Sequence, residues 1–172
     1  MRIATIALVA SVSVLTGPVF AAPAELLNKT ISVSYTVTIP ARGQDGRISP
    51  GIRNATRTIY ISSAGRAFAR VGRTDVGRFS ETKEAAPGER GNTLRWEGAK
   101  LIGVMPFISG AAQLTITFGS SGQSCDAVIA VGRENGKTLK WKGVNGATYE
   151  AIGPATVSNV SCAVRSGNAF SG

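Results

Sequence analysis

The run "TISVSYTVTI", Thr30 to Ile39, alternates hydroxyl and apolar side chains almost without a break. On a helix that order would scatter Ile31, Val33, Tyr35, Val37 and Ile39 around the axis. On an extended strand it puts them all on one face and leaves Ser32, Ser34, Thr36 and Thr38 on the other. The run therefore predicts a half-buried strand, which Pro40 ends. Similar stretches follow at Thr56–Ser62, Arg66–Val71, Thr93–Glu97, Lys100–Met105, Gln113–Phe118, Cys125–Val131, Lys137–Lys142, Ala147–Ile152 and Val157–Val164. Gly, Ser, Asn and Pro separate them. No stretch has the period of an amphipathic helix, and Glu81–Ala86 reads as a single turn before Pro87-Gly88. Asn135-Gly136 and Asn145-Gly146 each suit a two-residue type I′ hairpin turn. Residues 125 to 152 then read as three antiparallel strands in succession. The expected fold is all-β: one domain over residues 22–172, an antiparallel β-barrel or β-sandwich of about 8–10 short strands, rich in meander connections.

Two octets are nearly the same, "NTLRWEGA" (Asn92–Ala99) and "KTLKWKGV" (Lys137–Val144), and they hold both tryptophans. Leu and Trp stand two apart in each, so Leu94 and Trp96 share a face, as do Leu139 and Trp141. Charged residues occupy the opposite face. This facing predicts core packing for both indoles, rather than a carbohydrate-stacking platform. The glycine that follows each, Gly98 or Gly143, suits a bend at the strand end. Two copies are too few for a repeat architecture, and read as equivalent strands in two halves of one sheet system.

The chain's first 21 residues have the order of a secretory signal. Met1-Arg2 is basic, Ile3–Leu15 is mostly apolar, and Val19-Phe20-Ala21 offers small residues where a signal peptidase reads, with Ala22-Pro23-Ala24 as the alternative cleavage site. A spanning helix needs about 20 apolar residues, more than this run supplies. An exported chain, in a periplasm or outside the cell, meets an oxidising environment. Cys125 and Cys162 are its only cysteines, and they are expected to form a disulfide. Closing a loop of roughly 37 residues contributes ~4 kcal/mol on the chain-entropy account.

The formal charge is +9, or +8 without Arg2. Between residues 42 and 78 the eight arginines 42, 47, 53, 57, 66, 70, 73 and 78 face only Asp45 and Asp75. Such a basic segment favours an anionic partner: acidic polysaccharide, phosphorylated glycolipid or nucleic acid. The sequence has no His. That removes histidine-dependent triads and the usual His-containing zinc sites. Two bridged cysteines hold no metal, and no phosphate-binding glycine loop is present. The acids are scattered. No catalytic residue, metal site or cofactor is expected, and an enzyme is the least favoured class.

The best binding candidate is "TRTIYISSAGRAFAR", Thr56–Arg70. A three-residue loop Ser63-Ala64-Gly65, with Gly left-handed, pairs Ile61 with Ala67 and Tyr60 with Phe68. Ile59, Ile61, Ala67, Ala69 and Val71 then face the core, while Tyr60, Phe68, Arg66 and Arg70 share the outer face. A two-residue loop would shift the register and disperse the patch. Arg57 and Arg73 flank the hairpin and complete the candidate set Arg57, Tyr60, Arg66, Phe68, Arg70 and Arg73. Aromatic rings beside guanidinium groups stack on bases or sugars and bond phosphate or carboxylate. The same pairing also stabilises a sheet with no ligand. A ligand-binding barrel with an Arg-lined cavity is an alternative. Another is a small outer-membrane barrel, against which the aromatics are sparse and do not recur at strand ends as interfacial girdles do.

The turn "SAGR" (Ser63–Arg66), the segment "CDAVIAVGRENG" (Cys125–Gly136) and the ending "VSNVSCAVRSGNAF" (Val157–Phe170) resemble a group of small exported proteins of soil alphaproteobacteria. The resemblance covers most of the chain after residue 21. It implies an exported compartment and the cysteine pair, and it assigns no site residues. Together these readings predict an exported, non-enzymatic binding protein.

Overall fold

A computed structural model describes residues 22–73, 78–84, 93–107, 110–131, 139–143 and 145–170. The expected signal peptide, residues 1–21, and the turn at Asn135-Gly136 lie outside the described residues. Among the described residues, twelve strands follow a short 3₁₀ turn, Ala24–Leu26: β1 Lys29–Ile39, β2 Ala41–Gly43, β3 Gly51–Ile61, β4 Ala67–Arg73, β5 Arg78–Glu84, β6 Thr93–Glu97, β7 Lys100–Phe107, β8 Gly110–Phe118, β9 Cys125–Val131, β10 Lys140–Lys142, β11 Thr148–Ala151 and β12 Thr156–Ser166. Among the described residues there is no α-helix, and no helix long and apolar enough to cross a membrane.

The strands form three antiparallel sheets, ordered β12-β1-β3-β4-β5, β6-β7-β8-β9 and β10-β11-β2. The first two pack face to face as a sandwich. Ile31 and Val33 of β1 and Ile59 and Ile61 of β3 meet Leu101, Leu114 and Ile116 of the four-stranded sheet, all fully or almost fully buried. The period-two pattern of β1 is thus satisfied, since its apolar face is the wall of the core. The small sheet covers the other end of the five-stranded one. There Val37, Ile39 and Ala155 form a second apolar cluster with Leu139, Trp141 and Ala151. Tyr35 packs against both clusters.

The seam between β9 and β12 is closed covalently. Cys125 and Cys162 are bonded, with Cα atoms 5.5 Å apart and a sequence separation of 37. No hydrogen-bond ladder joins these two strands, so the sandwich is not a closed barrel. A bulge keeps β12 in phase. The register with β1 shifts between Ser34 and Thr36, opposite Asn159, whose φ is 51°. Val157 lies before the bulge and Val160, Cys162 and Val164 lie after it, and all four turn inward despite the change from odd to even numbering.

Several expectations are corrected. Glu81–Glu84 belongs to edge strand β5, not to a turn, and Ala85-Ala86 lies outside the described residues. Pro40 ends β1, but the chain resumes at once as β2 in another sheet, where the Pro40 carbonyl accepts from Ile152 N at 2.9 Å. Among the described residues the three-strand meander expected over 125–152 does not form. β9 pairs with β8, and β10 and β11 make a hairpin. The hydrogen bonds of Gly143 do not fit a two-residue type I′ turn at Asn145-Gly146. Gly146 (φ 78°) donates to Gly143 O at 3.0 Å, and Gly143 N donates to Ala147 O at 2.8 Å. This is a three-residue loop closed by a left-handed glycine. Asn145 Oδ1 supports it by accepting from Ala147 N at 3.1 Å.

Candidate functional site

The hairpin of β3 and β4 has the register that its sequence predicts. Ile61 pairs with Ala67, Tyr60 with Phe68, and Ile59 with Ala69. Ser62 N donates to Arg66 O and Gly65 N to Ser62 O, both at 2.9 Å. Gly65 has φ 74°, a region that a side chain resists. Ile59, Ile61 and Ala69 are completely buried, so the other parity faces outward.

On that outward face the Tyr60 and Phe68 rings lie 6.4 Å apart at 30°. The Arg66 guanidinium stands 5.6 Å from the centre of the Phe68 ring, within cation–π reach. Arg66 is exposed and also has a partner within the chain. Its five donors allow one guanidinium to serve more than one partner. The Tyr60 hydroxyl donates to Asn28 Oδ1 at 3.2 Å. Asn28 adopts φ 57°, and its carbonyl accepts from Gly167 N at 2.7 Å. The C-terminal turn is fixed from the next strand as well. Thr30 Oγ1 donates to Gly167 O at 2.6 Å and accepts from Ala169 N at 3.1 Å. Thr30, on the outward face of β1, is buried under this turn. Asn28 and the C-terminal turn thus border the aromatic pair. No hydrophobic or charge pattern points to them, because their role comes from hydrogen bonds of the Asn28 carbonyl and the Thr30 hydroxyl to residues 137 to 139 positions further along the chain.

The remaining predicted residues divide. Arg57 is not part of the patch. It shares parity with Ile59 and Ile61 and points inward, with its Nε buried. Its register partner is Val33. Burial pulls its guanidinium below the ordinary arginine value, and the nearby Tyr35 hydroxyl opposes that shift. Burial in turn raises Tyr35 above 10.0, with the positive Arg57 opposing. Arg57 already has a partner within the chain, so packing accounts for it. Arg70 and Arg73 lie on β4, with Arg70 at the register position beside Thr82 and Arg73 beside Arg78. Their side chains, and that of Val71, lie outside the described residues. The same register places Glu84 beside Phe68, an acid that the hairpin alone does not foretell.

The arginines of this segment whose side chains are described do not form a single patch. Arg42 and Arg47 belong to β2 and its turn, where Arg47 approaches Asp45 at 3.8 Å with both side chains largely exposed. Arg53 lies near the small sheet, Arg57 inside, and Arg66 at the hairpin tip. Among the described residues no group of three or more potential metal ligands converges. No family model, curated protein or solved structure matches the chain.

Proposed function

We propose that the chain is an exported, non-enzymatic binding protein whose β3–β4 hairpin presents a face to an anionic partner. The observation that carries this reading is the Tyr60–Phe68 pair with Arg66 beside Phe68, held on an outward face whose reverse side is core. A ring pair offers a flat apolar surface for a base or a sugar. A guanidinium next to it adds directed bonds to carboxylate or phosphate. The partner classes are acidic polysaccharide, phosphorylated glycolipid and single-stranded nucleic acid. Export is supported by the order of residues 1–21 and by the disulfide, a bond that persists in oxidising compartments.

The test is binding of the purified protein to one member of each class, at low and high salt, with Arg66→Ala/Arg70→Ala beside the wild type. Salt-sensitive binding to one class, weakened about tenfold or more in the double variant, supports the reading. Equal weak binding to every anion, unchanged by the substitutions, reduces the patch to ordinary sheet pairing.

A further inference from the structure

A second concave surface lies at the opposite end of β3, away from the hairpin. It is a cleft of about 340 Å³ between the start of β3 and the edge strand β10. Ile39, Ile52, Leu139 and Trp141 give it apolar walls, and Arg53 and Lys142 stand along it. No acid is among its described lining residues. Ile52 is 67% exposed, a large apolar side chain left uncovered beside the cleft. Trp141 is held in a fixed pose. Its ring stacks on Tyr149 with centroids 6.0 Å apart and planes at 21°. On the Gly51 side it lies so close that a Cβ on Gly51 would sit 3.0 Å from Cζ2. A bare backbone there lets the indole approach the strand closely.

We infer that this cleft binds a small amphipathic monoanion, an organic carboxylate with an aliphatic or aromatic body. The volume lies near the lower end of the range for small-molecule sites. Trp141, Leu139, Ile39 and Ile52 remove the apolar body from water, and the ammonium of Lys142 meets the carboxylate. Arg53 has another partner within the chain, and its five donors leave directions for a second. A neutral ligand gains only the apolar contacts, and a cation is repelled. Macromolecular polyanions fit poorly, since the walls are apolar rather than lined with bond donors along a track. The site is independent of the hairpin and does not rest on the function proposed for it.

The chain has two tryptophans, so Trp96→Phe leaves Trp141 as the only indole. In that background, titration with sodium octanoate gives a saturable change in emission, and octanol and octylammonium bind at least tenfold more weakly. Lys142→Gln weakens octanoate about fivefold or more and leaves octanol unchanged, while Arg66→Ala leaves octanoate unchanged. Calorimetry on the wild-type protein returns the same affinity, which covers the case of a damaged Trp96→Phe fold. No saturable heat with octanoate overturns the inference, and so does equal binding of octanol and octanoate. Loss of octanoate binding in Arg66→Ala, with Lys142→Gln unaffected, overturns it as well and moves the carboxylate to the hairpin.

Discussion

Leu94–Gly98 and Leu139–Gly143 read LRWEG and LKWKG, and the two copies meet different surroundings. The first lies on β6, an edge of the four-stranded sheet. Leu94 is 7% exposed inside the main core, and Trp96 packs on that core with its ring 5.8 Å from Phe118. The second includes β10, an edge of the three-stranded sheet. Leu139 and Trp141 are half-buried against a cluster with only Val37, Ile39 and Ala155 fully enclosed. The glycines differ too. Gly98, with φ 59°, opens the two-residue turn between Glu97 and Lys100. Gly143 begins a longer loop and lies under Tyr149, where a Cβ would be 2.7 Å from Cε2. The pattern sets which way a side chain faces. What stands opposite sets how far it is buried, and the shallower copy is the one beside an open cleft.

The largest expected effect separates the sandwich from the small sheet. Cys125→Ser/Cys162→Ser releases the β9–β12 seam and costs ~4 kcal/mol in urea unfolding, by the loop-entropy relation. Emission from Trp96 and Trp141, read in the two single-tryptophan backgrounds, should show the same midpoint if both ends unfold as one unit. Separate midpoints would split the comparison into two cooperative units. Next come the paired leucines. Leu94→Ala costs about 3 kcal/mol as a cavity in the main core. Leu139→Ala, at a half-buried position, costs about 1 kcal/mol. Equal costs would erase the difference in burial. The glycines sharpen the same contrast at smaller scale. Gly143→Ala drives a methyl into Tyr149 and costs about 2 kcal/mol. Gly98→Ala meets no atom within 4 Å and costs only the left-handed strain, about 1 kcal/mol.

Tyr35, between the two clusters, supplies a test in pH. Its folded value is raised above the unfolded 10.0, so its contribution to stability is complete below pH 10. It is lost as pH rises through the folded value, because the unfolded chain then releases the proton first. Arg57, with a lowered folded value, acts in the opposite sense at still alkaline pH. Tyr35→Phe should therefore make stability fall less steeply above pH 10 than in the wild type, measured by urea midpoints across pH 8 to 11. An unchanged slope would remove Tyr35 as its source. The smallest effect concerns the outer faces of the two copies. Arg95 pairs with Glu97 at 2.7 Å, and Lys140 pairs across strands with Glu150 at 3.4 Å. All four side chains are about half exposed or more, so Lys140→Ala should cost under about 0.5 kcal/mol and vanish in high salt.

Much of the candidate site is legible in sequence. The apolar alternation of Ile59 and Ile61, with Gly65 at the loop end, sets the hairpin register and brings Tyr60 to Phe68. The inward position of Arg57 is legible too, by the parity that it shares with Ile59, and its charge conceals it. β5 is hidden because an edge strand carries charges along its length, as Arg78–Glu84 does, and so loses the apolar beat. β2 is three residues long and shows no period at all. The turn at Asn145-Gly146 is misread as two residues because Asn-Gly fits either loop until the hydrogen bonds of Gly143 decide.

The features legible in the residues alone are local: most of the strands, the face that each apolar residue takes, the β3–β4 register, and the pairing of two cysteines that have no other choice. These follow from the two-residue repeat of an extended chain and from the backbone freedom of glycine at loop ends. Which sheet each strand joins is set by long-range packing. Strand β9 binds β8 rather than β10, and the two tryptophan copies go to separate cores. Partner choice is set by burial of whole faces between segments distant in sequence. Neighbouring residues carry no record of what will stand opposite them.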